Sequence, residues 1–209
     1  MSADQLIRQK DSFLVPHPGV CFGQYPTKKQ QKPGWSEAML SRFTRLRADI
    51  MKPHRRARQA MLERVHTNHK IVEKMSDKAL DRWIIDIKYR LHSKGLKEEL
   101  ICRAFATIKE IAKRELGMAH YDSQLQGGWI MMQGMIAEMQ TGEGKTLTAT
   151  LPAGCAAMAN MPVHVVTVND YLVQRDAELM RPVYSRLGLT VGYIVDGMSE
   201  AERQQAYRC

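Results

Sequence analysis

The sequence has few cysteines and no Cys-x-x-Cys pair, which excludes the common zinc and redox patterns built on that spacing. Its four cysteines are scattered over 209 residues, so we expect reduced thiols and no disulfide framework. No apolar run approaches the roughly 20 residues of a membrane-spanning helix. Residues 1–10 also lack the apolar core of a signal peptide, so we expect a cytoplasmic protein.

Aromatic residues are also scarce, at 7% of the chain, and they do not alternate with basic residues as in a base-stacking surface. This argues against single-stranded nucleic acid as the ligand.

Positive charge is concentrated in the first third of the chain, because residues 1–70 hold 14 of the 31 Lys and Arg residues and 5 of the 22 Asp and Glu residues. Such a field favours anionic lipid, an acidic protein surface or nucleic acid.

Three regions are predicted. Residues 1–35 form a loop-rich basic arm, because prolines and glycines punctuate them. Residues 36–117 form a helical region, and residues 118–209 form a second domain in which strands alternate with helices. The expected fold class is α/β: helices first, then a domain with a parallel sheet.

Caps and apolar spacing define the helices of the second region. Ser36 begins a basic amphipathic helix, which suits either a membrane surface or an ordinary solvated face. Ser76 caps a second helix, and a third runs from about Leu96 to Gly117. Helical spacing predicts these inward-facing residues: Leu80, Ile84, Ile87, Leu91, Ile101, Phe105, Ile108 and Ala112.

The pattern changes after His120, where short apolar runs alternate with helical segments. Strands are predicted at about 135–138, 163–168 and 190–195, with helices at about 145–158 and 171–187. The valine-rich run 163–168 is typical of a strand buried on both faces. Strands alternating with helices predict a parallel sheet with right-handed crossovers.

A phosphate-binding loop is predicted between the first of these strands and the helix that follows it. Its glycines allow a tight turn that brings backbone N–H groups close to phosphate oxygens. Lys145 can reach the β- and γ-phosphates, and the Thr146 hydroxyl can ligate Mg²⁺. The loop comprises Gln140-Thr141-Gly142-Glu143-Gly144-Lys145-Thr146.

The segment Ile136–Ala153 around this loop resembles the nucleotide loop of the SecA family of protein-export motor ATPases. The segment His164–Leu172, with Arg175-Asp176-Ala177-Glu178 after it, resembles the next motif of that family. Residues 117–128 resemble its adenine-side motif. These motifs occur in order and at matching distances between about Met75 and Cys209.

The resemblance implies that residues 118–209 are the first part of a P-loop, RecA-like (helicase-type) motor domain that binds nucleotide. It also implies ATP and Mg²⁺ as ligands and assigns roles to individual residues. Gln124 would hydrogen-bond the adenine edge, Lys145 and Thr146 would be catalytic, and Thr146 would ligate the metal. Arg175 and Asp176 would belong to the face that transmits the nucleotide state. The phosphates and Mg²⁺ would be held by Thr141, Gly142, Glu143, Gly144, Lys145 and Thr146.

The sequence also departs from the family pattern. Met139 replaces the first glycine of the usual loop spacing, and Gln140 replaces an arginine that members usually carry. No acidic Asp-Glu-x-Asp motif follows Thr146, and the second motor lobe with its arginine finger is absent. Since phosphoryl transfer needs these groups, we expect part of a longer motor, with weak nucleotide binding and negligible turnover by these 209 residues.

Three functions remain open at this point. A SecA-like motor for protein export would work at the cytoplasmic face of the inner membrane as a peripheral protein, and it could form a homodimer. Its partners would be a SecYEG-like protein-conducting channel, anionic lipid and unfolded preprotein. The alternatives are a helicase-type ATPase acting on nucleic acid, since one fold serves both functions, and a non-catalytic binding or regulatory module.

Overall fold

The structure, a computed structural model, describes residues 53–209, with side chains from residue 56 onward. The predicted basic arm, residues 1–35, and the helix beginning at Ser36 lie outside the described residues. The helices are α1 (Pro53–Val72), α2 (Asp77–Lys94), α3 (Glu98–Leu116), α4 (Asp122–Met132), α5 (Lys145–Met158), α6 (Asp170–Arg186) and α7 (Glu200–Tyr207).

The bounds of α2 and α3 follow the local signals in the sequence. Ser76 is the N-cap residue of α2, although its side chain makes no capping hydrogen bond, and Asp77 supplies negative charge to the first turn. Gly117 ends α3 in the left-handed conformation, with φ of +68°. All eight residues predicted to face inward on α2 and α3 are buried.

Helix α3 lies at the centre of the described part of the chain. It packs against α1, α2, α5 and α6, and residues from almost its whole circumference are buried. Phe105 is fully buried, and α4 approaches it closely at Gly128. A Cβ atom at Gly128 would lie 2.9 Å from the Leu151 Cβ, so a glycine lets α4 pack tightly on α5.

Helix α1 has one face in this core and one face toward solvent. Its residues Met61, Leu62 and Val65 are buried, whereas Arg64 is exposed and pairs with Glu98 at 2.6 Å. All the described residues lie in one compact unit, and the predicted domain boundary at residue 117 stays a prediction. Among the described residues, no helix is both long and apolar enough to cross a membrane.

The C-terminal end of α6 is tied to the α2 helix by charged side chains, an arrangement we call the α6 clamp. Arg186 forms ion pairs with Asp81 and with Asp77, the latter at 3.4 Å. Lys88 donates from Nζ to the carbonyl oxygens of Leu187 and Gly188, at 3.3 and 3.0 Å. A cation at a helix C-terminus satisfies carbonyls that have no partner within the helix.

The predicted parallel sheet is not confirmed, because the structure has no β-strand within residues 53–209. The expectation that residues 163–168 are buried on both faces is wrong, since Val166 and Val168 are each 91% exposed. A strand becomes buried on both faces only when neighbouring strands pair with it and helices cover the sheet. Near the third predicted strand, side chains bond the backbone instead, as when Arg181 donates to the Val191 carbonyl at 2.9 Å.

Candidate functional site

The phosphate-loop sequence forms a tight turn that leads directly into α5. Gly142 and Gly144 have φ of +89° and +76°, a region that residues with a Cβ rarely adopt. A Cβ at Gly144 would also overlap the side-chain amide of Gln124. The first N–H groups of a helix have no intrahelical partner, so the start of α5 at Lys145 offers donors to an anion. The predicted helix at about 145–158 is confirmed.

Lys145 and Thr146, the predicted catalytic pair, occupy the first two positions of α5. Lys145 is exposed, and its Nζ donates to the backbone carbonyl of Gln140 at 2.7 Å. The Thr146 hydroxyl donates to Asp176 Oδ2 at 3.3 Å, and Arg175 donates to the other oxygen of that carboxylate at 2.7 Å. The structure therefore brings Arg175 and Asp176, from α6, beside the loop.

Gln124, the residue predicted to recognise adenine, connects α4 to the phosphate loop. It is 4% exposed, and its Oε1 accepts from the Tyr121 N–H at 3.0 Å. Its Nε2 donates to the Glu143 carbonyl at 2.9 Å. A side-chain amide has two donor hydrogens and two acceptor lone pairs, so half of this capacity is still free. The adenine role stays a prediction.

The remaining predicted ligands, Thr141 and Glu143, lie on the exposed outer side of the turn. The Glu143 carboxylate is turned back into the loop and accepts from the Gln140 N–H at 2.7 Å. The Glu143 N–H in turn donates to the Gln140 carbonyl at 3.3 Å. The loop is thus closed by bonds among its own residues.

His120 is a residue of the site that the sequence did not reveal. It is 2% exposed, and its Nε2 lies 2.9 Å from the Leu147 carbonyl and 3.1 Å from Thr150 Oγ1. It thereby holds the first turns of α5 against the chain that precedes α4. Burial lowers the pKa of His120 from 6.5 to about 4, and nearby Lys109 adds to this effect. The only sequence signal was its place within residues 117–128, which resemble the adenine-side motif.

This lowered pKa predicts a loss of stability in acid. The unfolded chain takes up a proton on His120 near pH 6.5, whereas the folded chain does so only near pH 4. The free energy of unfolding should therefore fall as the pH drops through this window, by about 2–3 kcal/mol between pH 7.5 and 4.5. Urea unfolding at several pH values measures this slope, and the His120→Gln variant should reduce it by that amount. An unchanged slope in the variant would contradict the assignment.

The residues present fit a magnesium nucleotide. The turn offers backbone donors at a helix N-terminus, Lys145 offers a positive charge, and the Thr146 hydroxyl offers a hard oxygen ligand of the kind that Mg²⁺ prefers. Because the Thr146 hydroxyl is the donor in its hydrogen bond to Asp176, its lone pairs remain available to a cation.

Comparison with known proteins identifies relatives along most of the chain. The family model of the SecA DEAD-like domain matches residues 43–209. The protein translocase subunit SecA 2 of Bordetella avium is 42% identical over 202 residues, which is 94% of this chain and 29% of that protein. The SecA 3 subunit of Magnetococcus marinus is 51% identical over 136 residues, 65% of this chain and 21% of that protein. The SecA subunit of Afipia carboxidovorans is 48% identical over 151 residues, 72% of this chain and 16% of that protein.

These alignments extend the similarity beyond the range that the motifs indicated. The motifs began near Met75, whereas the family model begins at residue 43. Since the alignment with the Bordetella protein covers 94% of this chain, it includes most of residues 1–70. The basic first third therefore has a counterpart in at least one translocase subunit. The chain spans less than a third of the length of each of these relatives.

Proposed function

The chain belongs to the SecA family, and on that premise we propose that it binds ATP with Mg²⁺ as the nucleotide-binding part of a motor for protein export. One observation carries the proposal. Lys145 and Thr146 begin α5 immediately after the Gly144 turn, and Asp176 accepts a hydrogen bond from the Thr146 hydroxyl.

The glycines, Lys145 and Thr146 of the loop have distinct proposed tasks. The glycine turn lets backbone N–H groups approach the phosphates, and Lys145 offsets their negative charge. Thr146 would ligate Mg²⁺, which neutralises charge that develops on the phosphate oxygens. Gln124 would hold the adenine, and its bond to Glu143 would link base recognition to the phosphate loop. Negligible turnover by these 209 residues also stays a prediction.

The proposed partners follow from the names of the relatives and from charge. Because those relatives are protein translocase subunits, we infer an unfolded preprotein as cargo and a SecYEG-like channel as the docking partner. The positive excess in residues 1–70 supports contact with anionic lipid at the cytoplasmic face of the inner membrane. A homodimer is a further proposal.

Isothermal titration calorimetry with ADP, with and without Mg²⁺, tests the nucleotide site. We expect Mg²⁺ to tighten binding, and we expect Thr146→Val to remove this gain, which we place at about tenfold for one lost ligand group. Thr146→Ser keeps the hydroxyl and should keep most of the gain. The absence of any heat at millimolar ADP or ATP from folded protein with Mg²⁺ would refute the proposal.

A further inference from the structure

Glu143 makes three contacts that hold the phosphate loop in its present shape. Its carboxylate accepts from the Gln140 N–H at 2.7 Å, and its own N–H donates back to the Gln140 carbonyl at 3.3 Å. Its carbonyl accepts from Gln124 Nε2 at 2.9 Å. The side chain and the backbone N–H of Glu143 therefore both contact Gln140, whereas its carbonyl links the loop to α4.

The carboxylate contact has the chemistry of phosphate binding. A backbone N–H in a glycine-rich turn is a donor for an anionic oxygen, and a carboxylate oxygen is such an oxygen. The N–H of Gln140 has one hydrogen, so it cannot serve the carboxylate and a phosphate fully at the same time. Lys145 is likewise engaged inside the loop, on the carbonyl of Gln140 at 2.7 Å.

We propose that the Glu143 carboxylate competes with the phosphates of a nucleotide for donors of the loop and thereby sets the affinity of the chain for nucleotide. This inference rests on the proposed nucleotide site and refines it, because the Glu143 backbone supports the loop while its side chain opposes the ligand. Nucleotide binding must break the bond to Gln140 and move one negative charge away from the phosphates. Both steps reduce affinity.

Two substitutions separate these contributions. Glu143→Ala removes both the hydrogen bond and the charge, whereas Glu143→Gln removes the charge and keeps an oxygen that can accept from Gln140. For Glu143→Ala we expect magnesium-ADP to bind about three- to tenfold more tightly, and for Glu143→Gln we expect a smaller gain. Glu138→Gln, at an exposed carboxylate five residues earlier, makes the same change in net charge and should alter affinity less than about twofold.

Calorimetry on the 209-residue chain measures these affinities, and amide hydrogen exchange gives a readout without ligand. In the ligand-free chain, Glu143→Ala should accelerate exchange at the Gln140 N–H, because its acceptor is gone. Unchanged or weaker ADP binding by Glu143→Ala, with binding by the unsubstituted chain intact, would overturn the inference alone. If neither chain bound ADP, the nucleotide site and this inference would both fail. Unchanged exchange at Gln140 would also overturn the inference.

Discussion

Replacing Lys145 with alanine is expected to weaken the binding of magnesium-ADP and magnesium-ATP by about 100-fold. Lys145 is the first residue of α5, directly after the glycine turn, and its side chain carries the positive charge of the loop. Loss of that charge leaves the phosphates with the backbone donors of the turn and the magnesium ion that Thr146 would ligate. Calorimetry against both nucleotides measures the effect.

The matched control for this substitution is Lys94→Ala, which removes the same group from the exposed end of α2. We expect Lys94→Ala to leave the dissociation constant within about twofold, because screened surface charges act weakly at a distance. Equal losses in the two variants would mean that net charge, and not the loop, attracts the nucleotide. Unchanged affinity in Lys145→Ala would show that the loop does not bind the phosphates of the nucleotide.

Replacing Glu110 with alanine is expected to lower the free energy of unfolding by about 2–4 kcal/mol, because two donors lose their acceptor. This carboxylate on α3 is 3% exposed, and it accepts from Arg114 Nε at 2.7 Å and pairs with His69 Nε2 at 3.0 Å. Burial lowers the pKa of His69, so near neutral pH its uncharged ring donates this bond. Removing the carboxylate leaves Arg114 Nε and His69 Nε2 without their acceptor, although the guanidinium keeps its ion pair with Asp77 at 3.1 Å.

Urea unfolding compares Glu110→Ala with Glu99→Ala on the same helix. Glu99 is exposed and pairs with Arg103 at 3.1 Å, so its loss should cost at most about 0.5 kcal/mol. A cost below about 1 kcal/mol at Glu110 would show that this network contributes little to stability. Glu110→Gln, which retains acceptors for both partners, should fall between the two.

The helices were predictable because their signals lie within each helix. Ser76 and Asp77 mark the start of α2, and Gly117 marks the end of α3, since caps act on their own helix terminus. Helical spacing also identified the buried faces of both helices. The lengths of α5 and α6 agreed with the predicted segments to within one residue.

The strand predictions fared worse because a sheet is made by partners distant in the sequence. A run such as residues 163–168 has a high preference for extended structure, yet that preference depends on packing against neighbours. Within residues 53–209 no strand pairs with it, and Val166 is almost fully exposed. The sequence pattern indicated that residues 163–168 prefer extended structure. It did not indicate which strands or helices would cover them.

The same distinction applies to the candidate site. The glycine spacing and Lys145 are local, so the loop was recognised from the sequence. Burial of His120 and the contact between Thr146 and Asp176 depend on how α5 packs against its neighbours, so neither was visible. The closure of the loop by Glu143 is local in sequence, but it requires the rotamer of one side chain to be known.

The α6 clamp fixes the C-terminal end of α6. Arg186 and Lys88 anchor that end, and Asp176, ten residues and about 15 Å nearer the loop, contacts Thr146. The start of the helix is held separately, because Asp170 Oδ2 accepts from the Asp196 N–H at 2.8 Å. A ligand that draws the Thr146 hydroxyl away from Asp176 would therefore act on the middle of a helix whose two ends stay tied.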